Sequence, residues 1–137
     1  MANLTSIQIL EDGPKHVVVK LEGVLDTSDV SSTTLVDPAT LSVIDPMGGN
    51  ITLASQLRID KIMYSIEDGL SVNLFWDATS PVRIEELVGR GKMDYFKYQP
   101  LYNNSGAGKT GKITYTTEGF VPGSKLSFSV YLAMVKQ

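Results

Sequence analysis

Residues 57–77, LRIDKIMYSIEDGLSVNLFWD, decide the fold that the sequence predicts. Apolar and polar residues alternate along residues 57–67 and again along residues 70–77, which is the period of a β-strand. Between the two runs Gly69 can adopt a positive φ without a Cβ clash, so we predict a hairpin in which the second run folds straight back on the first. Both runs carry apolar residues on both faces, which predicts that a second sheet, a loop or a neighbouring subunit covers each side.

Further alternating segments extend this pattern in both directions along the chain. Residues 5–10 and 17–25 form predicted strands, and Gly13 and Pro14 interrupt the ladder between them. Near the end of the chain, two more strands are predicted at residues 112–117 and 125–135. Shorter strands are predicted at residues 41–45 and 93–97, and a turn at residues 89–92. Residues 82–88 fit either two helical turns or a strand.

Residues 26–40 are rich in Asp, Ser and Thr, side chains that bond locally to the backbone, and they predict a long loop. We therefore predict one all-β domain over residues 1–137, a β-sandwich or jelly-roll-like fold of about eight short antiparallel strands with little or no helix. Residues 1–11 are expected to form an N-terminal arm or an edge strand of this domain.

Composition limits the classes of function. The 137 residues suit one domain, and the absence of cysteine excludes disulfides and thiolate catalysis, so we expect maturation in a reducing cytosol. We expect neither a signal peptide nor a membrane span. The net charge of −3 does not favour nucleic-acid binding. Residues 1–56 carry a net charge of −5 and residues 57–137 a net charge of +2. This difference fits ordinary solubility or the head-to-tail docking of identical subunits or of a larger partner.

Motifs with potential chemistry are few. Residues 103–110, NNSGAGKT, end like a phosphate-binding P-loop, but Asn103 replaces the first glycine and a strand-like segment follows, so a flexible connection is the better interpretation. Glu85 and Glu86 are adjacent on a strand and point to opposite faces, unlike a glycosidase pair. His16 has the features of a lone surface histidine. We predict no catalytic residue, cofactor or small-molecule substrate.

Four aspartates and several aromatic residues are candidates for ligand sites. The aspartates match no calcium-binding loop and are typical turn residues, so we predict no metal site; they are Asp26, Asp29, Asp37 and Asp45. Trp76 is in phase with core residues of its strand. Tyr98 and Tyr102 flank Pro100 and are the better candidates for exposed contacts, either with a sugar ring or with a protein partner; Tyr95 and Phe96 lie in the same aromatic segment.

The C-terminal part of the chain resembles a known class of proteins. The resemblance rests on LFWDAT (residues 74–79), GRGKMDY (89–95), NNSGAGKTGKI (103–113), TTEGF (116–120) and the final alternating strand ending at Lys136. These elements resemble small virion structural proteins of tailed bacteriophages, most closely the head decoration, or cement, proteins. The resemblance covers residues 57–137 and implies a role in the particle without catalytic residues.

The resemblance implies a non-enzymatic protein that binds the major capsid protein on the outer head surface after folding in the host cytoplasm. We expect a homotrimer, since several weak contacts at a symmetry axis combine into high avidity. The expected interface combines an N-terminal strand able to join a capsid sheet edge, the loop at residues 26–40 and an aromatic loop; its candidate residues are Thr5, Ile7, Ile9, Tyr95, Tyr98 and Tyr102. A tail, neck or fibre component and a carbohydrate-binding module are the alternatives.

Overall fold

The structure is a computed structural model that describes residues 3–44, 49–95 and 100–136. These residues form eleven strands and one short 3₁₀ turn, which confirms the predicted all-β class. The strands are β1 (Leu4–Asp12), β2 (His16–Leu25), β3 (Thr33–Val36), β4 (Ser42–Ile44), β5 (Ile51–Leu53), β6 (Leu57–Ile66), β7 (Ser71–Trp76), β8 (Val82–Val88), β9 (Arg90–Asp94), β10 (Ile113–Glu118) and β11 (Leu126–Lys136).

Two antiparallel sheets of unequal width make the sandwich. The wider sheet has five strands in the order β1-β2-β11-β6-β9, and the narrower sheet has four in the order β3-β10-β7-β8. A third, small sheet pairs β4 with β5. Apolar residues from the inner faces of both large sheets form one core, in which the rings of Tyr115 and Phe128 lie 6.4 Å apart, one from each sheet.

The predicted hairpin at residues 57–77 is wrong, although both of its strands exist. β6 belongs to the five-stranded sheet and β7 to the four-stranded sheet, so the chain arches across the core at residues 67–69 instead of folding back beside itself. Gly69 adopts a φ of 85°, as the turn requires. Ile66 and Leu70, on either side of this turn, are 4 % and 1 % exposed, because both strands turn their apolar side chains towards the shared core.

A bulge at Asp60 explains why β6 has apolar residues on both apparent faces. The register with β11 shifts here, since Ala133 pairs with Lys61 but Met134 pairs with Ile59. The extra residue reverses the alternation, so odd-numbered residues before it and even-numbered residues after it face the same core. Met63 is consequently 39 % exposed. The apolar residues of β6 therefore lie on one face, and the sequence pattern does not require a second sheet, a loop or a subunit on the other face.

Other boundaries also differ from the prediction. The expected loop at residues 26–40 contains β3 and a 3₁₀ turn (Pro38–Thr40), because Leu35 and Val36 are buried against the core and Asp37 caps the turn at the amide of Ala39. Residues 82–88 form a strand, and the turn predicted at residues 89–92 is shorter because β9 already begins at Arg90. Asp45 and the end of the strand predicted at residues 93–97 lie outside the described residues.

Candidate interaction surface

The most unusual part of the described structure is β1, the outermost strand of the wider sheet. It pairs with β2, and all nine of its residues are exposed. Thr5, Ile7 and Ile9 lie opposite the inward-facing residues Gly23, Leu21 and Val19 of β2, so they share the face that leads into the core. Ile7 and Ile9 nevertheless remain 45 % and 49 % exposed.

The unequal width of the two sheets explains this exposure. β3, which ends the four-stranded sheet, has only four residues, and the five-stranded sheet extends one strand further. Thr5 interacts with the side chain of Tyr115, a core residue of the narrower sheet. Burial raises the pKa of Tyr115, and the bond from Thr5 offsets part of that rise. Ile7 and Ile9 lie beyond the edge of the core.

The free edge of β1 lacks the features that usually prevent strand addition. An edge strand presents unpaired backbone N–H and C=O groups, and proteins guard such edges with Lys, Pro, short strands or bulges. From Leu4 to Leu10 β1 contains no charge, proline or glycine. Its bulge falls between Ile9 and Glu11, near the end of the strand. The apolar side chains of Leu4 and Leu10 are also 72 % and 48 % exposed. The strand is chemically suited to β-augmentation.

The candidate aromatic residues do not form an exposed loop as a group. Tyr95 is only 9 % exposed and belongs to the core cluster, and its hydroxyl donates to Glu85 Oε2 at 3.3 Å. Burial and the adjacent carboxylate raise the pKa of Tyr95 to about 12. Its ring therefore contributes to packing rather than to an exposed contact. Phe96 and Tyr98 lie outside the described residues.

Tyr102 is the aromatic candidate that the structure exposes. Its side chain is 45 % exposed, and the guanidinium of Arg58 lies 6.0 Å from the ring centroid. Arg58 Nε also bonds Asp60 Oδ1 at 2.9 Å, and this bond is the main reason why the pKa of Arg58 is raised. Arg58 belongs to β6, which β2 and β11 separate from β1. Tyr102 and the β1 candidates therefore lie on separate parts of the molecule.

A second exposed apolar feature escaped the sequence prediction. In the small sheet, Ile44 pairs with Ile51, and Leu53 lies two residues further along on the same face. These three side chains are 37 %, 74 % and 65 % exposed. The alternation of Ile51, Thr52 and Leu53 is the signal that could have predicted a strand here, but three residues are too few to distinguish it from a loop.

The P-loop-like string is a connecting loop, as predicted. It leads into β10 rather than into a helix. The loop is held against the end of β7, where the Thr110 hydroxyl donates to Asp77 Oδ2 at 2.7 Å and the Thr79 amide to the Ala107 carbonyl at 3.1 Å. A Cβ on Gly108 would lie 2.0 Å from Thr79 Oγ1, so this glycine permits close packing of the loop.

The remaining polar candidates also have structural surroundings. Glu85 and Glu86 pair with successive residues of β7 and so point to opposite faces, as expected. His16 is exposed at the start of β2. Asp29 accepts bonds from the Thr117 hydroxyl and the Phe120 amide, which joins the segment before β3 to the end of β10. Within residues 3–44, 49–95 and 100–136, no group of three or more metal-ligating side chains is found.

Comparisons with known proteins do not indicate a function, so the functional proposal depends on the exposed surface. No family model matches the chain, and no match is found among curated proteins or solved structures. In the described part of the chain, no helix has the length and apolar character needed to cross a membrane. Two exposed apolar surfaces remain, the small sheet and the edge of β1, and β1 is the longer, with nine exposed residues against three residues in each strand of the small sheet.

Proposed function

We propose that this chain is a structural protein of a tailed-phage virion that decorates the outer surface of the head and stabilises it by binding the major capsid protein. The observation that carries the proposal is β1, a nine-residue edge strand exposed on both faces and uncharged from Leu4 to Leu10. Such a strand can extend a sheet of another protein through backbone bonds, while its apolar side chains fit the neighbouring surface.

The position of Ile7 and Ile9 supports this use of the strand. They point to the core side of the sheet but extend past the narrower sheet, so a partner strand with apolar side chains would complete their burial. Burial of apolar surface contributes about 25 cal/mol per Å². Repeated over many copies on one shell, contacts of modest strength suffice for stable decoration.

The resemblance and the docking strand occupy different parts of the sandwich. The motifs that resemble decoration proteins lie on β7, β9, β10 and β11 and in the loop before β10, whereas β1 lies outside residues 57–137. We propose that the former build the scaffold and that β1 supplies the contact. The homotrimer expected at a symmetry axis of the shell stays a prediction, as does the choice of the head over the tail, neck or fibres.

Binding to shells tests the proposal. Expanded heads of the phage that encodes this chain, stripped of decoration, are mixed with the purified protein and sedimented. We expect the wild-type protein to sediment with the heads and to raise their resistance to heat. The variant Ile9→Lys places a charge on the apolar face of β1, and we expect its affinity to fall at least about tenfold, or 1.4 kcal/mol.

Val88→Lys is the matched control, because it places the same charge on an exposed apolar residue of β8, an edge strand of the narrower sheet away from β1. We expect it to bind like the wild-type protein. The proposal is wrong if the wild-type protein stays in the supernatant, or if Ile9→Lys and Val88→Lys bind equally well. Labelling that places the protein on the tail instead of the head would favour the alternative location.

A further inference from the structure

We propose that in the free protein β1 pairs antiparallel with β1 of a second copy of this chain, joining two five-stranded sheets into one of ten strands. The inference rests on the proposed function, in which the same strand later binds the capsid. A protein that is made in many copies with an unguarded edge strand is exposed to uncontrolled strand addition. Pairing the edge with itself prevents this in a closed, two-fold complex.

The directions of the strands favour self-pairing over a head-to-tail contact. Neighbouring strands of the wide sheet are all antiparallel, so its two edge strands, β1 and β9, run in the same direction. Joining β1 to β9 of the next copy in one plane therefore makes a parallel pair, which is less stable per residue. A two-fold axis normal to the sheet makes β1 antiparallel to its copy and keeps both narrow sheets on the same side.

The side chains of β1 fix a register for this pair. Residues that lie opposite each other in an antiparallel pair share a face. With Ile7 on the two-fold axis, Ile7 faces its own copy, and Thr5 lies opposite Ile9 of the second copy. All of these residues precede the bulge between Ile9 and Glu11, so the strand is regular where it pairs. Four isoleucines then form one continuous apolar strip across the junction.

The charges of β1 are compatible with this register. Its carboxylates, Glu11 and Asp12, lie at one end of the strand, and Asp12 is paired with Lys136. With Ile7 on the axis, the bulge leaves Glu11 three ladder positions away, since Ile7 pairs with Leu21 and Glu11 with Val18. The two copies of Glu11 are then six positions apart, or about 20 Å at 3.3 Å per residue. This separation exceeds the Debye length of about 8 Å at physiological salt, so repulsion between these carboxylates is screened.

The mass of the free protein in solution tests the pairing without any shell. In light scattering coupled to gel filtration, we expect the wild-type mass to rise from 14.9 kDa towards twice that value as the concentration increases. Ile7→Lys places two ammonium groups at the axis and should keep the protein at 14.9 kDa, whereas Val88→Lys, on the edge strand of the narrower sheet, should dimerise normally. A wild-type protein that remains monomeric or forms trimers, or an Ile7→Lys variant that still dimerises, overturns the inference.

A disulfide trap tests the register and does not depend on destabilising the contact. The chain has no cysteine, so Ile7→Cys introduces the only thiol. Directly opposed strand residues have Cα atoms within the 4.4–6.8 Å that a disulfide spans, and we expect a covalent dimer on mild oxidation. Ser28→Cys, exposed and beyond β2, controls for random oxidation and should remain monomeric. Equal cross-linking of the two variants contradicts the register.

The two proposals can fail separately. A protein that is monomeric in solution but binds heads through β1 retains the proposed function and loses the inferred dimer. A protein that dimerises through Ile7 but does not bind heads retains the dimer and loses the proposed function. For Ile7→Lys and Ile9→Lys, far-ultraviolet circular dichroism establishes that the sandwich is folded.

Discussion

At the scale of single residues, Lys136 shows how a charged side chain serves the fold. Its side chain is 1 % exposed, and Nζ donates to Asp12 Oδ1, to the Gly13 carbonyl at 2.7 Å and to the Ser42 carbonyl at 2.6 Å. One ammonium thus joins the end of β11 to the β1–β2 turn and to the small sheet. Because Asp12 closes β1, this contact also fixes one end of that strand.

Replacing Lys136 with Met tests this role. The substitution keeps a long apolar chain but leaves two partly buried carbonyl oxygens and the Asp12 carboxylate without their donor, and we expect the free energy of unfolding to fall by about 2 kcal/mol. The measurement is the midpoint of urea unfolding. Lys125→Met, at an exposed position before β11, is the control and should change stability by less than about 0.5 kcal/mol. Similar losses in both variants would show that the three bonds of Lys136 contribute nothing.

The candidate site residues differ in how far the sequence predicts their surroundings. The alternation of residues 5–10 predicted an edge strand at the start of the chain, and β1 is such a strand, with Ile7 and Ile9 exposed; their role in an interface stays a prediction. The burial of Tyr95 could not be predicted, because it depends on how the two sheets pack, which also brings its hydroxyl to Glu85 of the other sheet. Sequence spacing does not record that contact.

At the scale of the elements, β6 and β7 show what periodicity cannot determine. The alternation predicted both strands within one residue of their boundaries. It could not reveal their partners, since a tight turn with a positive-φ glycine serves an arch between two sheets as well as a hairpin. Nor could it reveal the bulge at Asp60, where one unpaired residue reverses the alternation. Residues of a single buried face then occupy odd positions before the bulge and even positions after it, as if two faces were buried.

The adjacent residues Ile62 and Met63 test the phase of β6 after the bulge. Ile62 is fully buried, and Ile62→Ala should lower the free energy of unfolding by about 3 kcal/mol because it leaves a cavity in the core. Met63 is 39 % exposed on the other face, and Met63→Ala should cost less than about 1 kcal/mol. Urea unfolding compares the two variants directly. Equal costs would mean that both faces of β6 are covered in the folded protein.

At the scale of the whole molecule, the difference in width between the two sheets accounts for the exposure of β1. Five strands face four, and the extra strand is the one with an uncharged apolar run. The sequence predicted a β-sandwich, but not which strands form each sheet, and therefore not that β1 would extend beyond the core. The exposure of Ile7 and Ile9 follows from that topology and not from their own residue types.

The most direct test of the account is a cryo-EM reconstruction of the virion, because the central claim is that β1 works by pairing with a strand of another chain. The account predicts sandwich-shaped density on the outer head surface, with a strand of a neighbouring protein subunit beside β1 at the normal spacing of about 4.8 Å. A protein absent from the head, or present there with the edge of β1 facing solvent, would contradict it.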